Sequence, residues 1–182
     1  MSAARMVTGL IGAFGGGTLG RMLGGRTGGM IGSMAGSLLA RKGGGIGSLL
    51  GGLTGGGNDD NSANAAADMD EAEAMILVRA MCSAAKADGQ VDASEIDAIM
   101  QRAGDLDPED ERMLRSELRS DLDLDGLIAD VPRGMEAEVY AMSLLPITVD
   151  SPEEVQYLGT LAQRLELSAD QVRSIHDELG LN

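Results

Sequence analysis

From residue 75 onward, apolar positions recur at helical rather than strand spacing. Met75–Ala85 is apolar almost all round, the pattern of a helix buried on every side. Ile96, Ile99, Met100 and Ala103 fall at i, i+3, i+4 and i+7, one face of a half-buried helix. Met113, Leu114 and Leu118 predict a short third helix, and Leu124, Leu127, Ile128 and Val131 a fourth. Met135–Leu145 is again strongly apolar and stops at Pro146. Val155, Leu158, Leu161, Ala162 and Leu165 mark a sixth stripe, and Val172, Ile175 and Leu179 a seventh. No convincing run of alternating β-branched residues interrupts them. The predicted fold class is all-α, a compact bundle of six to seven short helices.

The punctuation agrees. Asp92-x-x-Glu95, Asp150-x-x-Glu153 and Ser168-x-x-Gln171 have capping-box spacing or close to it. Asp107-Pro108 and Ser151-Pro152 place proline at the first helical position, where its missing N–H costs nothing. Gly104 and Gly180 sit where C-caps belong. There is also an internal echo. Met75–Ile99 reads as apolar helix, Val91-Asp92-x-x-Glu95, then amphipathic helix, and Tyr140–Leu165 repeats that order with Val149-Asp150-x-x-Glu153. A pseudo-twofold bundle follows, with the two central apolar helices side by side.

Ahead of the bundle the pattern changes to one small residue in every four. The row reads Gly12, Gly16, Gly20, Gly24, Gly28, Gly32, Gly36, Ala40, Gly44, Ser48, Gly52 and Gly56. On a helix this spacing makes one side-chain-free stripe, and Gly16, Gly20, Gly24, Gly28, Gly32 and Gly36 are its helix-packing candidates. In water such a helix is costly, since each glycine loses about 1 kcal/mol relative to alanine. The stripe therefore points to lipid or to self-association.

Charge divides the chain at the same place. Residues 1–57 hold 21 of the 27 glycines, five bases and no acid, whereas residues 58–182 hold all 29 acids. The reading is a glycine-rich, membrane-associated or self-associating segment over 1–57, a polar linker over 58–70 and a helical domain over 71–182. The uncharged stretches Met6–Gly20, Thr27–Ala40 and Gly43–Asn58 are each shorter than the roughly 20 residues a helical span needs. Snorkelling arginines lengthen them, and a tight hairpin turning near Gly24–Gly29 or an interfacial segment both fit. Arg5 before Met6–Phe14 has the flank of a secretory signal, but no convincing small-x-small cleavage site bounds it and similar apolar pattern continues beyond, so an uncleaved segment is expected.

Candidate chemistry is sparse. Ala84–Glu95 carries the second half of a calcium loop, with Asp88, Gly89, Val91, Asp92 and Glu95 in EF-hand register. Lys86 stands where a carboxylate ligand belongs, so the bland reading is a sharp αL turn at Gly89 followed by an N-cap at Asp92. Asp121–Gly126 carries the first half of such a loop, but Pro132 replaces its closing Glu, which favours an Asp cap before a short helix. Weak divalent-cation binding on an acidic surface is the residual candidate. Gly15-x-Gly17-x-x-Gly20 matches a dinucleotide fingerprint only as glycine-rich composition, with no strand before it. Cys82 is the single cysteine and lies in an apolar run, the setting of a small buried hydrophobe. His176 is the single histidine, so no Ser–His triad or His-paired metal site forms within one chain. An acidic domain with no Trp, two Tyr and one Phe offers nucleic acid little to stack on.

Met75–Glu95, together with Glu136–Tyr140, Val149-Asp150 and Tyr157–Ala162, resembles the signature of TerB-like domains, and within them the uncharacterised YebE-like inner-membrane family. The resemblance covers roughly residues 70–180. It implies an all-helical tellurite-resistance-type fold, a bacterial inner-membrane location, and a cytoplasmic domain behind a membrane-associated segment. It also carries a suggested weak metal role onto Asp88, Asp92, Glu95 and Asp150. The expected function is a membrane-tethered helical interaction module in envelope or metal-stress physiology, with no catalysis and no cofactor. Its expected partners are membrane lipid, further copies of itself through the N-terminal segment, and an unidentified protein, but no nucleic acid. The alternative is a soluble acidic divalent-cation-binding protein with a disordered glycine-rich tail.

Overall fold

A computed structural model describes residues 3, 6, 7, 10, 70–89, 91–103, 106–147, 151–179 and 181. The glycine stripe, nearly all of the linker, Asp150 and the two glycine C-caps lie outside the described residues. From residue 70 onward the described residues form seven helices and no strand: α1 (Glu71–Ala85), α2 (Ala93–Ala103), α3 (Pro108–Arg119), α4 (Leu124–Asp130), α5 (Glu136–Ser143), α6 (Pro152–Arg164) and α7 (Ala169–Glu178). This is the all-α bundle that the spacing predicts.

Most starts have a local cause, the exception being α5, which opens at Met135 with no side-chain cap. Asp70 caps α1 by accepting from the Ala72 N–H at 2.9 Å, and Glu71 and Glu73 place negative charge at the positive end of the helix. Asp107 accepts from the Glu109 and Asp110 N–H groups, and Pro108 opens α3. Ser168 and Gln171 form a reciprocal capping box on α7. One expected cap moves by a residue. The spacing suggests Asp150-x-x-Glu153, but the box that opens α6 is Ser151 with Glu154, each backbone N–H held by the other's side chain at 3.1 Å. Pro152 is the reason: with proline at the first helical position, the cap must be the residue just before it.

Helices α1 and α5 pack along each other and form the centre of the bundle. Helix α1 also meets α3 and α4, α2 packs on α3, and α5 meets α6 and α7. On the two central helices Leu77, Met81, Cys82 and Val139 are fully buried. Burying a side chain of the Leu or Met class contributes about 1.5–3 kcal/mol each. Ser143 fastens the pair, its hydroxyl donating to the Val139 carbonyl at 2.9 Å and reaching the Ala80 carbonyl at 3.5 Å. Ion pairs tie the outer helices at the rim: Arg79–Asp130 joins α1 to α4, Arg115–Asp97 joins α3 to α2, and Arg164–Asp125 joins α6 to α4. Exposed pairs of this kind each contribute about 0.2–1 kcal/mol, so the apolar core dominates.

The core extends to the other end of the sequence. Ala3, Met6, Val7 and Leu10 are helical and 0 % exposed, and belong to the same apolar cluster as α1 and α5. Their spacing is i, i+3, i+4, i+7, the stripe of a helix with one buried face. The Ala3 N–H also donates to Glu71 Oε1 at 2.8 Å, fixing the stripe to the first residue of α1. The sequence reading grouped these four positions with the glycine-rich segment that follows them. Their side chains are in the core of the helical domain.

Candidate functional site

The turn between α1 and α2 was the first candidate, and its geometry is that of a helix start. Asp92 Oδ1 accepts from the Ser94 N–H at 2.7 Å, the Ser94 hydroxyl at 2.6 Å and the Glu95 N–H at 2.9 Å. Glu95 Oε2 accepts from the Asp92 N–H at 2.8 Å, closing a capping box. These bonds hold the Asp92 carboxyl below its ordinary range, the Ser94 hydroxyl contributing most. Asp88 is exposed in the preceding turn, and Gly89 takes a φ of +152°. That is the mirror-extended region, not the αL turn expected, and it is one that only glycine enters readily. The structure thus brings Asp92 and Glu95 together at the start of α2, while Asp88 lies in the preceding turn and Asp150 lies outside the described residues. Among the described residues no group of three or more His, Cys, Asp or Glu side chains could hold a metal ion.

Lys86 shows why the front half of that loop is not acidic. Its side chain is buried, and the ammonium donates to the Glu117 carbonyl at 2.9 Å and to the Ser120 carbonyl and hydroxyl at 3.2 Å. All three donors are used, and the charge sits at the negative end of α3. A lysine that spoils a calcium loop is here the C-terminal clamp of a neighbouring helix. Sequence spacing could show that the loop was broken, but not where the ammonium went.

The second acidic turn is a cap as well. Asp123 opens α4, its Oδ1 accepting from the Gly126 N–H at 2.9 Å. A Cβ at position 126 would collide with that carboxylate, so a larger residue there would push the Asp123 side chain from its present place.

Two features went unread in the sequence. His176 and Tyr140 stack with ring centroids 5.9 Å apart, and the Tyr140 hydroxyl lies 3.0 Å from His176 Nε2. Burial lowers the His176 pKa, against a smaller opposing effect of Asp177, which favours a neutral ring sharing a hydrogen bond with the Tyr140 hydroxyl. The pair joins α5 to α7 and has no nucleophile beside it among the contacts described. On α3, Arg112, Arg115, Ser116, Arg119 and Ser120 line a shallow cavity of about 510 Å³. Arg115 is held by Asp97 at 2.8 Å and Glu111 at 3.1 Å. Arg112 and Arg119 stand beside it, and the three make up three of the nine bases of residues 58–182. The i, i+3, i+7 spacing of the arginines was the available signal. Cys82 is fully buried, and burial pushes its thiol well above the ordinary range, which fits a structural rather than a reactive cysteine.

From residue 70 onward the described residues thus form an all-helical bundle, with a buried N-terminal stripe packed into its core. The chain belongs to the family described as a protein of unknown function, DUF533, whose model matches residues 3–179. No curated protein and no solved structure matches it. Among the described residues, no helix is long and apolar enough to cross a membrane.

Proposed function

We propose that the protein is a non-catalytic helical interaction module held at a membrane by its glycine-rich segment. The observation that carries this reading is the small residue in every four along Gly12–Gly56, in a stretch with recurring Leu, Ile and Met and no acid. Such a stripe is favourable where backbones pack closely in lipid and costly in water. The arginine row on α3 supports an interaction role for the bundle, because it offers an anionic partner a charged face on an otherwise acidic domain. The likeness to TerB-like, tellurite-resistance-type domains supports a bacterial inner-membrane setting and a place in envelope or metal-stress physiology. Neither calcium-like turn supports a cation-binding role, since the carboxylates of Asp92, Glu95 and Asp123 are engaged in starting helices.

Ultracentrifugation of a cell lysate tests the tether. Full-length protein is expected in the membrane pellet, released by detergent and not by salt; recovery in the supernatant would overturn the reading. Self-association has its own test. Gly24→Leu with Gly28→Leu should abolish crosslinked oligomers in membranes, whereas Thr18→Leu with Met22→Leu, off the stripe, should not. Equal oligomer yield from wild type and both pairs would reduce the stripe to mere composition.

A further inference from the structure

The buried N-terminal stripe fixes both ends of the glycine-rich stretch. Ala3, Met6, Val7 and Leu10 are in the core at one end. Asp70 and Glu71 open α1 at the other, and the Ala3 N–H bonds to Glu71 Oε1. At 1.5 Å of rise per residue, a helix carries Leu10 only about 10 Å from Ala3. Leu10 and Asp70, the described residues that flank the stretch, thus belong to one helical domain.

We infer that residues 11–69 are an internal loop closed at both ends on one helical domain, not an N-terminal tail, and that the N-terminus and the bundle lie on the same side of any membrane the loop enters. The reason is desolvation. Moving the N-terminus to the opposite side would strip Met6, Val7 and Leu10 out of the core and expose a matching apolar groove on the bundle. A loop closed this way crosses a bilayer an even number of times or not at all. The family match is consistent with one unit, since it runs from Ala3 through the glycine-rich stretch to Leu179, and both of those residues are buried in the same core. Closure stands on the core packing alone, while the sidedness rests on the membrane reading above.

Cys82 is a built-in reporter, being the single cysteine and fully buried. In full-length protein, Leu10→Asp should speed maleimide labelling of Cys82 by more than about tenfold, because opening of the core controls access. Leu10→Ala should be intermediate, and Thr8→Asp, off the stripe, should label like wild type. Complete unfolding of Leu10→Asp would count as the extreme of the same result. Equal labelling of wild type, Leu10→Asp and Thr8→Asp would overturn closure. For sidedness, epitope tags at Met1 and Asn182 are exposed to protease in right-side-out and inside-out membrane vesicles. The two tags should be lost together or protected together, and opposite protection would overturn the inference. If the protein does not pellet with membranes, the tether reading falls and the labelling experiment alone decides closure.

Discussion

The two halves of the bundle use one plan and fasten it differently. Helix α1 is apolar and buried, followed by a turn, a capped start and the amphipathic α2; α5 is apolar and buried, followed by a turn, a capped start and the amphipathic α6. The first turn is held by charge, with Lys86 clamped onto the end of α3 and Asp92 capping α2. The turn after α5 is held by apolar burial. Leu144, Leu145 and Ile147 are all in the core, and the cap that follows is the neutral Ser151. The difference lies in what each turn faces. The first abuts the carbonyl end of α3, where the Lys86 ammonium meets acceptors at the end of the helix, whereas the second folds back against the apolar cluster.

The largest test removes what the halves share. Leu77→Ala on α1 and Leu144→Ala at the end of α5 each delete a fully buried side chain, and each should cost about 2–5 kcal/mol. Chemical denaturation should show a lowered midpoint and one cooperative transition for both variants. If only one of them destabilises, the halves do not share a core.

Lys86→Met comes next. It keeps much of the apolar stem but leaves the carbonyls of Glu117 and Ser120 without their buried donor, at about 1–3 kcal/mol. A urea midpoint unchanged from wild type would show that the clamp is ornamental.

The caps sharpen the contrast further. Ser151→Ala should cost about 1 kcal/mol at neutral pH and at pH 3 alike, because a hydroxyl cap does not titrate there. Asp92→Ala should also lower stability at neutral pH, but its effect should fade in acid. The Asp92 carboxyl is lowered in the folded state, so its stabilisation is complete above the ordinary value of about 3.9 and is lost as pH falls through the lower native value. Stability curves of the two variants against pH should therefore diverge below about pH 4.

The smallest expected effect belongs to the second half alone. His176 has its pKa lowered by burial, so the unfolded chain binds the proton more readily, and stability should decline as pH drops below about 6.5 toward the lowered native value. In the charged ring both nitrogens donate, so the Tyr140 hydroxyl must then accept, and Tyr140→Phe should change the decline. NMR titration of the ring reads both; a His176 pKa above that of an unfolded peptide would reverse the sign.

Much of the fold was legible because helices announce themselves locally. All seven apolar stripes from Met75 to Leu179 became helices, and Asp107-Pro108 and Ser168-x-x-Gln171 cap where their spacing says. Caps involve residues within one turn, so sequence distance and spatial distance agree. Even there, one local fact outweighed another, when Pro152 fixed the α6 cap at Ser151. The candidate site was less legible. Asp92, Glu95 and Asp123 were visible as acids with ligand-like spacing, but carboxylates that bind cations and those that cap helices share that spacing.

The sequence by itself determined the helical class, the places where most helices begin, and the division between an acid-free glycine-rich stretch and an acidic domain. All of these follow from composition and from contacts within a few residues of one another. Only the tertiary structure decided where long-range partners meet. It sent the Lys86 ammonium to the end of α3, 31 residues away, and set the Tyr140 hydroxyl against a ring 36 residues on. It also drew the N-terminal stripe into the core, with Ala3 bonded to Glu71 across 68 residues. An apolar stripe states which face must leave water but not against what, since the hydrophobic effect has no direction; the partner is chosen only when the rest of the chain has folded around it.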